Sequence, residues 1–235
     1  MGASGRIPPE RHQTVTRDLF NAELRQLQDD VLALGSMAEK AILDSVQALR
    51  DGDAEWSRKI IRDDERINRK RFEIEDRCIF VIASQQPMAT DLRSLVSVLY
   101  IITDIERMAD HAEGIARINV LMGDEPLPRK ISYIPAMADR AVAMLRNSLK
   151  AFIDHDVQAA YQICDSDDEV DRLQDSVYDE CIQAMIADPS TIQRNTYLLW
   201  AAHNLERIAD RCTNICERVV YTATGHMDEL NVSKY

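Results

Sequence analysis

Residues 104–116 read DIERMADHAEGIA, and residues 204–216 read NLERIADRCTNIC. Each stretch carries Glu, Arg, two apolar or small residues, and Asp. Glu106 and Asp110 in the first copy become Glu206 and Asp210 in the second, at an offset of 100. Upstream the offset is 103: Asp156 falls on Asp53, Ile163 on Ile60, Asp167 on Asp64, Val170 on Ile67 and Cys181 on Cys78. The three-residue change coincides with Asp188-Pro189, where copy two has a shorter loop. The chain therefore reads as one unit repeated.

Working outward, the periodicity of the unit is helical. Phe20, Leu24, Leu27, Val31, Leu34, Ala38 and Ala41 step alternately by four and three, a heptad seam. This predicts a helix from about Thr16 to Leu49, stopped at Asp51-Gly52. Asp53 opens a second helix, with Ile60, Ile67, Ile74, Cys78 and Val81 along one side. It ends near Gln86-Pro87, because a residue before Pro avoids the α region. A third helix starts at Thr90 or Asp91, either of which is a good N-cap, and runs to about Leu121. The expected fold is all-α: two tandem, pseudo-symmetric three-helix bundles. The boundaries are a loose leader over 1–16, a first bundle over 17–122, a linker over 123–135, a second bundle over 136–225 and a tail over 226–235. The linker, GDEPLPRKISYIP, reads as a hinge between the halves. Short loops inside each half make neighbouring helices antiparallel.

Composition narrows the function classes. The 235 residues carry a net charge of -12, which disfavours nucleic acid because phosphate neutralisation needs Lys and Arg. It suits cations or a basic partner surface. There is no apolar leader and no apolar run long enough to span a bilayer, so a cytoplasmic protein without direct membrane insertion is expected. The 5 cysteines form no CxxC and are odd in number, against a disulfide framework. Cys212 and Cys216 fall on or beside the core face of their helix and read as buried thiols.

With Glu106 set at 0°, Asp110 falls near about 40° and Glu113 near about -20°, so the three share a stripe. The core face of Ile105, Met108, Ala112 and Ile115 lies on the other side, and His111 falls outside both, as an exposed residue. In an antiparallel hairpin turning near 85–90, Glu106 and Asp110 face the segment that contains Asp64 and Asn68. The same construction places Glu206 and Asp210 opposite Asp171 and Asp167. Each half thus gathers oxygen ligands, which suit magnesium, calcium, manganese or iron. Two departures weaken the first set: Asn68 stands where copy two has Asp171, and Arg117 lies on the stripe where copy two has Glu217. The bland alternative is a purely structural helical bundle with solvated, ion-paired acids. An enzymatic alternative is a metal-carboxylate phosphohydrolase, although no dedicated nucleophile is apparent. A ferritin-like oxidase is disfavoured because no Glu-x-x-His occurs.

QQPMATDLR (85–93), followed by DIERMAD and later NLERIAD, resembles the PhoU family over about residues 17–225. The resemblance implies two similar three-helix bundles. It also implies an E/D-xxx-D motif in each that binds metal, iron or zinc in some relatives, carried here by Glu106 with Asp110 and Glu206 with Asp210. It further implies a non-enzymatic regulator of phosphate uptake and phosphate-regulon signalling. Its partners would be a phosphate ABC transporter, through the ATPase subunit, and a sensor histidine kinase. The oligomeric state stays open, a homodimer being one outcome.

Overall fold

The computed structural model describes residues 9–123 and 133–230. Helix α1 runs Pro9–Asp51, and so begins before the expected Thr16. The expected leader is therefore helical from Pro9, and residues 1–8 lie outside the described residues. Pro9 is well placed at a first helical position, where its missing N–H is no loss. No Gly or Pro follows it until Gly35.

Gly52 takes φ +69°, and Asp53 caps α2 (Ala54–Gln85) by accepting from the Trp56 N–H at 2.8 Å. At the far end Gln86 is left-handed, φ 46°, ψ 54°, and its N–H bonds Ile82 O at 3.1 Å. Helix α3 (Thr90–Met122) differs at its start from the expectation. Ala89 occupies the N-cap position at φ 51°, ψ -119°, and no side chain caps the helix. Asp91 instead pairs with Arg17 of α1.

The second half repeats this plan. Helix α4 covers Tyr133–Asp154, so Tyr133–Pro135, expected in the linker, form its first turn; residues 124–132 lie outside the described residues. Asp156 caps α5 (Val157–Ala187) through the Ala159 N–H at 2.9 Å, the counterpart of Asp53. A 3-10 turn at Pro189–Thr191 leads into α6 (Ile192–Thr224). Gly225 closes it at φ +80°, and the following residues fold back, Leu230 N–H donating to Glu217 Oε1 at 3.2 Å.

The fold is two pseudo-symmetric three-helix bundles, α1–α3 and α4–α6, but they share a core. One hydrophobic cluster takes buried residues from all six helices, among them Leu34, Ile74, Ile105, Leu145, Val170 and Leu205. The halves meet along α3 against α6 and α1 against α4. At Gly35 of α1, a Cβ would lie 2.3 Å from Leu149 Cδ1 of α4. One turn on, Arg146 Nε donates to Glu39 Oε2 at 2.7 Å. Packed helices thus join the halves directly, while most of the linker expected as a hinge lies outside the described residues.

The α3–α6 seam is antiparallel and polar. Ser97 and Thr222 hydroxyls meet at 2.8 Å. Asp104 accepts from Arg211 at 3.2 Å and from Asn214 at 3.1 Å. His111 Nδ1 and Asn204 Oδ1 lie 2.9 Å apart. Shifting Asp104, His111 and Gly114 by 100 gives Asn204, Arg211 and Asn214. So the contacts of Asp104 have pseudo-symmetric counterparts in those of Asn204 with His111 and Gly114. All five cysteines are buried and free, including Cys212 and Cys216.

Candidate functional site

The acids singled out above lie on the two outer hairpins, α2–α3 and α5–α6. Each helix rises about 1.5 Å per residue, so a short turn brings residues equally far from it face to face. Asp64 on α2 lies within electrostatic reach of Asp110, Glu113 and Glu106 on α3. Burial first, then these three carboxylates, push the Asp64 carboxyl up to about 6, against the opposing hydrogen bond from Asn68. That bond runs from Asn68 Nδ2 to Asp64 Oδ2 at 2.8 Å.

Cations occupy much of the first cluster. Arg107 reaches Asp110 at 3.1 Å and Glu106 at 3.7 Å, while Arg117 holds Glu113 at 2.6 Å. Glu106 is raised by burial and by Asp110, and lowered by Arg107 and Arg71. Arg71 was not among the expected site residues; nothing in its local sequence separates it from the other bases of α2. A cavity of about 250 Å³ opens beside the cluster, with Ile60, Ile67 and Ala109 among its apolar walls and Asp64 and Glu113 at its rim.

The second cluster is less neutralised. Glu206 sits against Asp210, Asp171 and Asp167. Burial, then Asp210, raise its carboxyl to about 7, with Arg207 pulling the other way. Asp171 is likewise raised, by burial and by Asp210. Asp167 is buried. Arg207 pairs with Asp210 at 3.1 Å. Glu206 Oε2 is buried and accepts no hydrogen bond; His203 Nδ1 stands 3.2 Å away, as an ion-pair neighbour only. His203 thus lies at the edge of the cluster. His111, expected exposed, is instead half-buried on the seam, because α6 lies over that side of α3. Burial lowers its pKa, and the Asn204 hydrogen bond opposes this.

Both clusters offer hard oxygen donors, but only the second combines crowded carboxylates with a buried carboxylate oxygen that accepts no hydrogen bond. That oxygen fits a cation. Among the described residues, no three His, Cys, Asp or Glu side chains converge closely enough to hold a metal ion as they stand. Among the same residues, no helix is long and apolar enough to cross a membrane.

The repeat is visible to a family model as well. The PhoU domain matches twice, at residues 31–118 and 134–219. The phosphate-specific transport system accessory protein PhoU homolog of Clostridium acetobutylicum is 37% identical over 218 residues, 92% of this chain and 100% of its own. The crystal structure of PhoU from Pseudomonas aeruginosa superposes with a TM-score of 0.81 at 33% identity, covering 88% of this chain and 100% of that one. The phosphate transport system regulatory protein PhoU from Streptococcus pneumoniae gives 0.81 at 32% identity, covering 89% and 99%. A domain model matched in both halves, and relatives matched end to end, show that this chain belongs to the PhoU family.

Proposed function

We propose that this chain is a cytoplasmic accessory protein of phosphate-specific transport. It acts without turnover, as an adaptor between the ATPase subunit of a phosphate ABC transporter and a sensor histidine kinase. The observation that carries the reading is the full-length match to relatives named as accessory proteins of that transport system. The fold supports it: two like-shaped halves locked on one core present two separate helical faces. Among the described residues the five thiols are buried, so none is offered as a nucleophile.

In this reading the second cluster also binds a divalent metal ion, iron, zinc, magnesium or manganese, with Glu206, Asp210, Asp171 and Asp167 as the oxygen donors. The ion would supply positive charge where the carboxylates repel one another. Glu106, Asp110, Asp64 and Asn68 form the weaker counterpart, since Arg107 and Arg117 already neutralise that stripe.

The test is cross-linking in cells grown with and without phosphate. The adaptor reading expects recovery of the transporter ATPase and the kinase, and loss of phosphate-gene repression when the chain is deleted. Recovery of neither partner, with repression intact in the deletion, overturns it.

A further inference from the structure

The two outer hairpins share a backbone plan but not a charge plan. Helix α2 carries 8 basic and 7 acidic residues in its sequence, whereas α5 carries 1 basic and 8 acidic. At the offset of 103, Asp165 replaces Arg62 and Glu169 replaces Arg66. On α2 most acids are matched within the helix, among them Glu55 by Arg58, Asp63 by Arg66, Glu65 by Arg69 and Glu75 by Arg71. On α5, Glu169 is matched by Arg140 of α4. No ion pair engages Asp165, Asp175 or Asp179 among the described residues.

These acids are arranged in order. Asp165, Asp168, Asp175, Asp179, Ile182 and Ile186 fall on one stripe of α5 at helical spacing, with Arg172 the one base among them, and every one is exposed. Ile182 is 47% and Ile186 77% exposed. Beyond the turn, Ile192 opens α6 with 50% exposure. The stripe is about 32 Å long; it begins acidic and ends apolar. Like charges along a helix face oppose one another, and exposed Ile side chains gain nothing from water. A ligand that relieves both must be cationic over one part and apolar over the rest, at the same helical spacing.

We propose that the outer stripe of α5 is a docking surface for a basic amphipathic helix of a partner protein. Lys or Arg side chains of that helix lie against Asp165, Asp175 and Asp179, and apolar ones against Ile182 and Ile186. The proposal deepens the adaptor reading and rests on it. It also assigns the halves different partners, because the matching positions of α2 are Arg62, Glu65, Phe72 and Asp76, which make no run of acids.

The probe is a fluorescein-labelled synthetic helix of about 21 residues, with Arg on one stripe over its first two-thirds and Leu on that stripe thereafter. Anisotropy with the full chain is expected to show saturable binding that weakens with salt. Asp165→Asn, Asp175→Asn and Asp179→Asn together are expected to weaken it about tenfold, and Ile182→Ser with Ile186→Ser by a similar factor at unchanged net charge. Glu55→Gln, Glu65→Gln and Glu73→Gln on α2 remove the same charge and are expected to leave binding within about twofold. Equal weakening by the two charge triples, no effect of the Ile pair, or no saturable binding overturns the proposal. If the peptide fails while phosphate repression in cells stands, the docking surface falls and the adaptor reading survives. If repression fails while the peptide binds, the adaptor reading falls instead.

Discussion

Asp104 on α3 and Arg211 on α6 form an ion pair at 3.2 Å across the boundary between the halves. Asp104 is 9% exposed. Burial raises its carboxyl, and Asn214 and Arg211 act against that rise. A buried acid with two donors is costly to lose from one side only, because the donors remain. Asp104→Ala is expected to lower stability by about 2–4 kcal/mol. Asp104→Asn keeps an acceptor and should lose less than about 1 kcal/mol. Urea midpoints at constant m-value decide this, and equal losses for the two variants would remove the hydrogen-bond argument.

The shared core carries a second prediction. Trp56 lies in the first half and Trp200 in the second, so each reports on its own bundle. Single-tryptophan variants, Trp200→Phe and Trp56→Phe, are expected to show unfolding midpoints that coincide with each other and with far-ultraviolet dichroism. Two separated midpoints would mean that the halves fold independently and that the seam contributes little.

The seam was not legible in the sequence, and the reason is physical. Periodicity reveals a buried face when polar residues mark the opposite one. Helix α3 is buried on more than one side, and small residues such as Ala109, Ala112 and Ala116 line it. Its second buried face leaves no separate stripe, so His111 reads as exposed when it is half-buried against Asn204. The repeat, the caps at Asp53 and Asp156, and the grouping of Asp64 with Asp110 were legible, because each follows from local spacing or from counting away from a short turn. The start of α3 was not. Thr90 looks like an N-cap, yet the strained Ala89 takes that position.

That turn yields a prediction of opposite sign. Gln86 and Ala89 both have positive φ, 46° and 51°, and both are exposed. Side chains there gain no packing and carry the cost of a conformation that glycine adopts freely. Ala89→Gly and Gln86→Gly are each expected to raise stability by about 0.5–1 kcal/mol. Differential scanning calorimetry would show a rise in Tm for each. A fall in both would show that the turn relaxes in solution.

Glu206 and Asp64 make stability depend on pH in a stated direction. Both have folded pKa values raised, to about 7 and about 6. The folded protein therefore binds more protons than the unfolded chain in this range, and stability falls as pH rises. The contribution is complete below the ordinary carboxylate range and is lost as pH climbs through about 6 and about 7. Glu206→Gln is expected to flatten the profile between pH 5 and pH 8. At pH 8 it should exceed the parent by about 1 kcal/mol, after discounting for solvent screening. A variant that is less stable than the parent at pH 8 would show that the ionised Glu206 is held by a favourable partner.

The same carboxylates set how a metal ion should bind. A cation at the second cluster must displace the proton on Glu206, so binding should strengthen as pH rises through about 7 and should release protons. Titration calorimetry with manganese chloride, in two buffers of different ionisation enthalpy, is expected to show proton release near pH 7 and none near pH 8.5. Glu206→Ala with Asp210→Ala should abolish the binding step. Glu106→Ala with Asp110→Ala should leave most of it, because Arg107 and Arg117 already hold Asp110 and Glu113. Binding that is unchanged by the Glu206 and Asp210 pair, or lost equally with either pair, would place the ion elsewhere. Binding without proton release near pH 7 would mean that Glu206 is not its ligand.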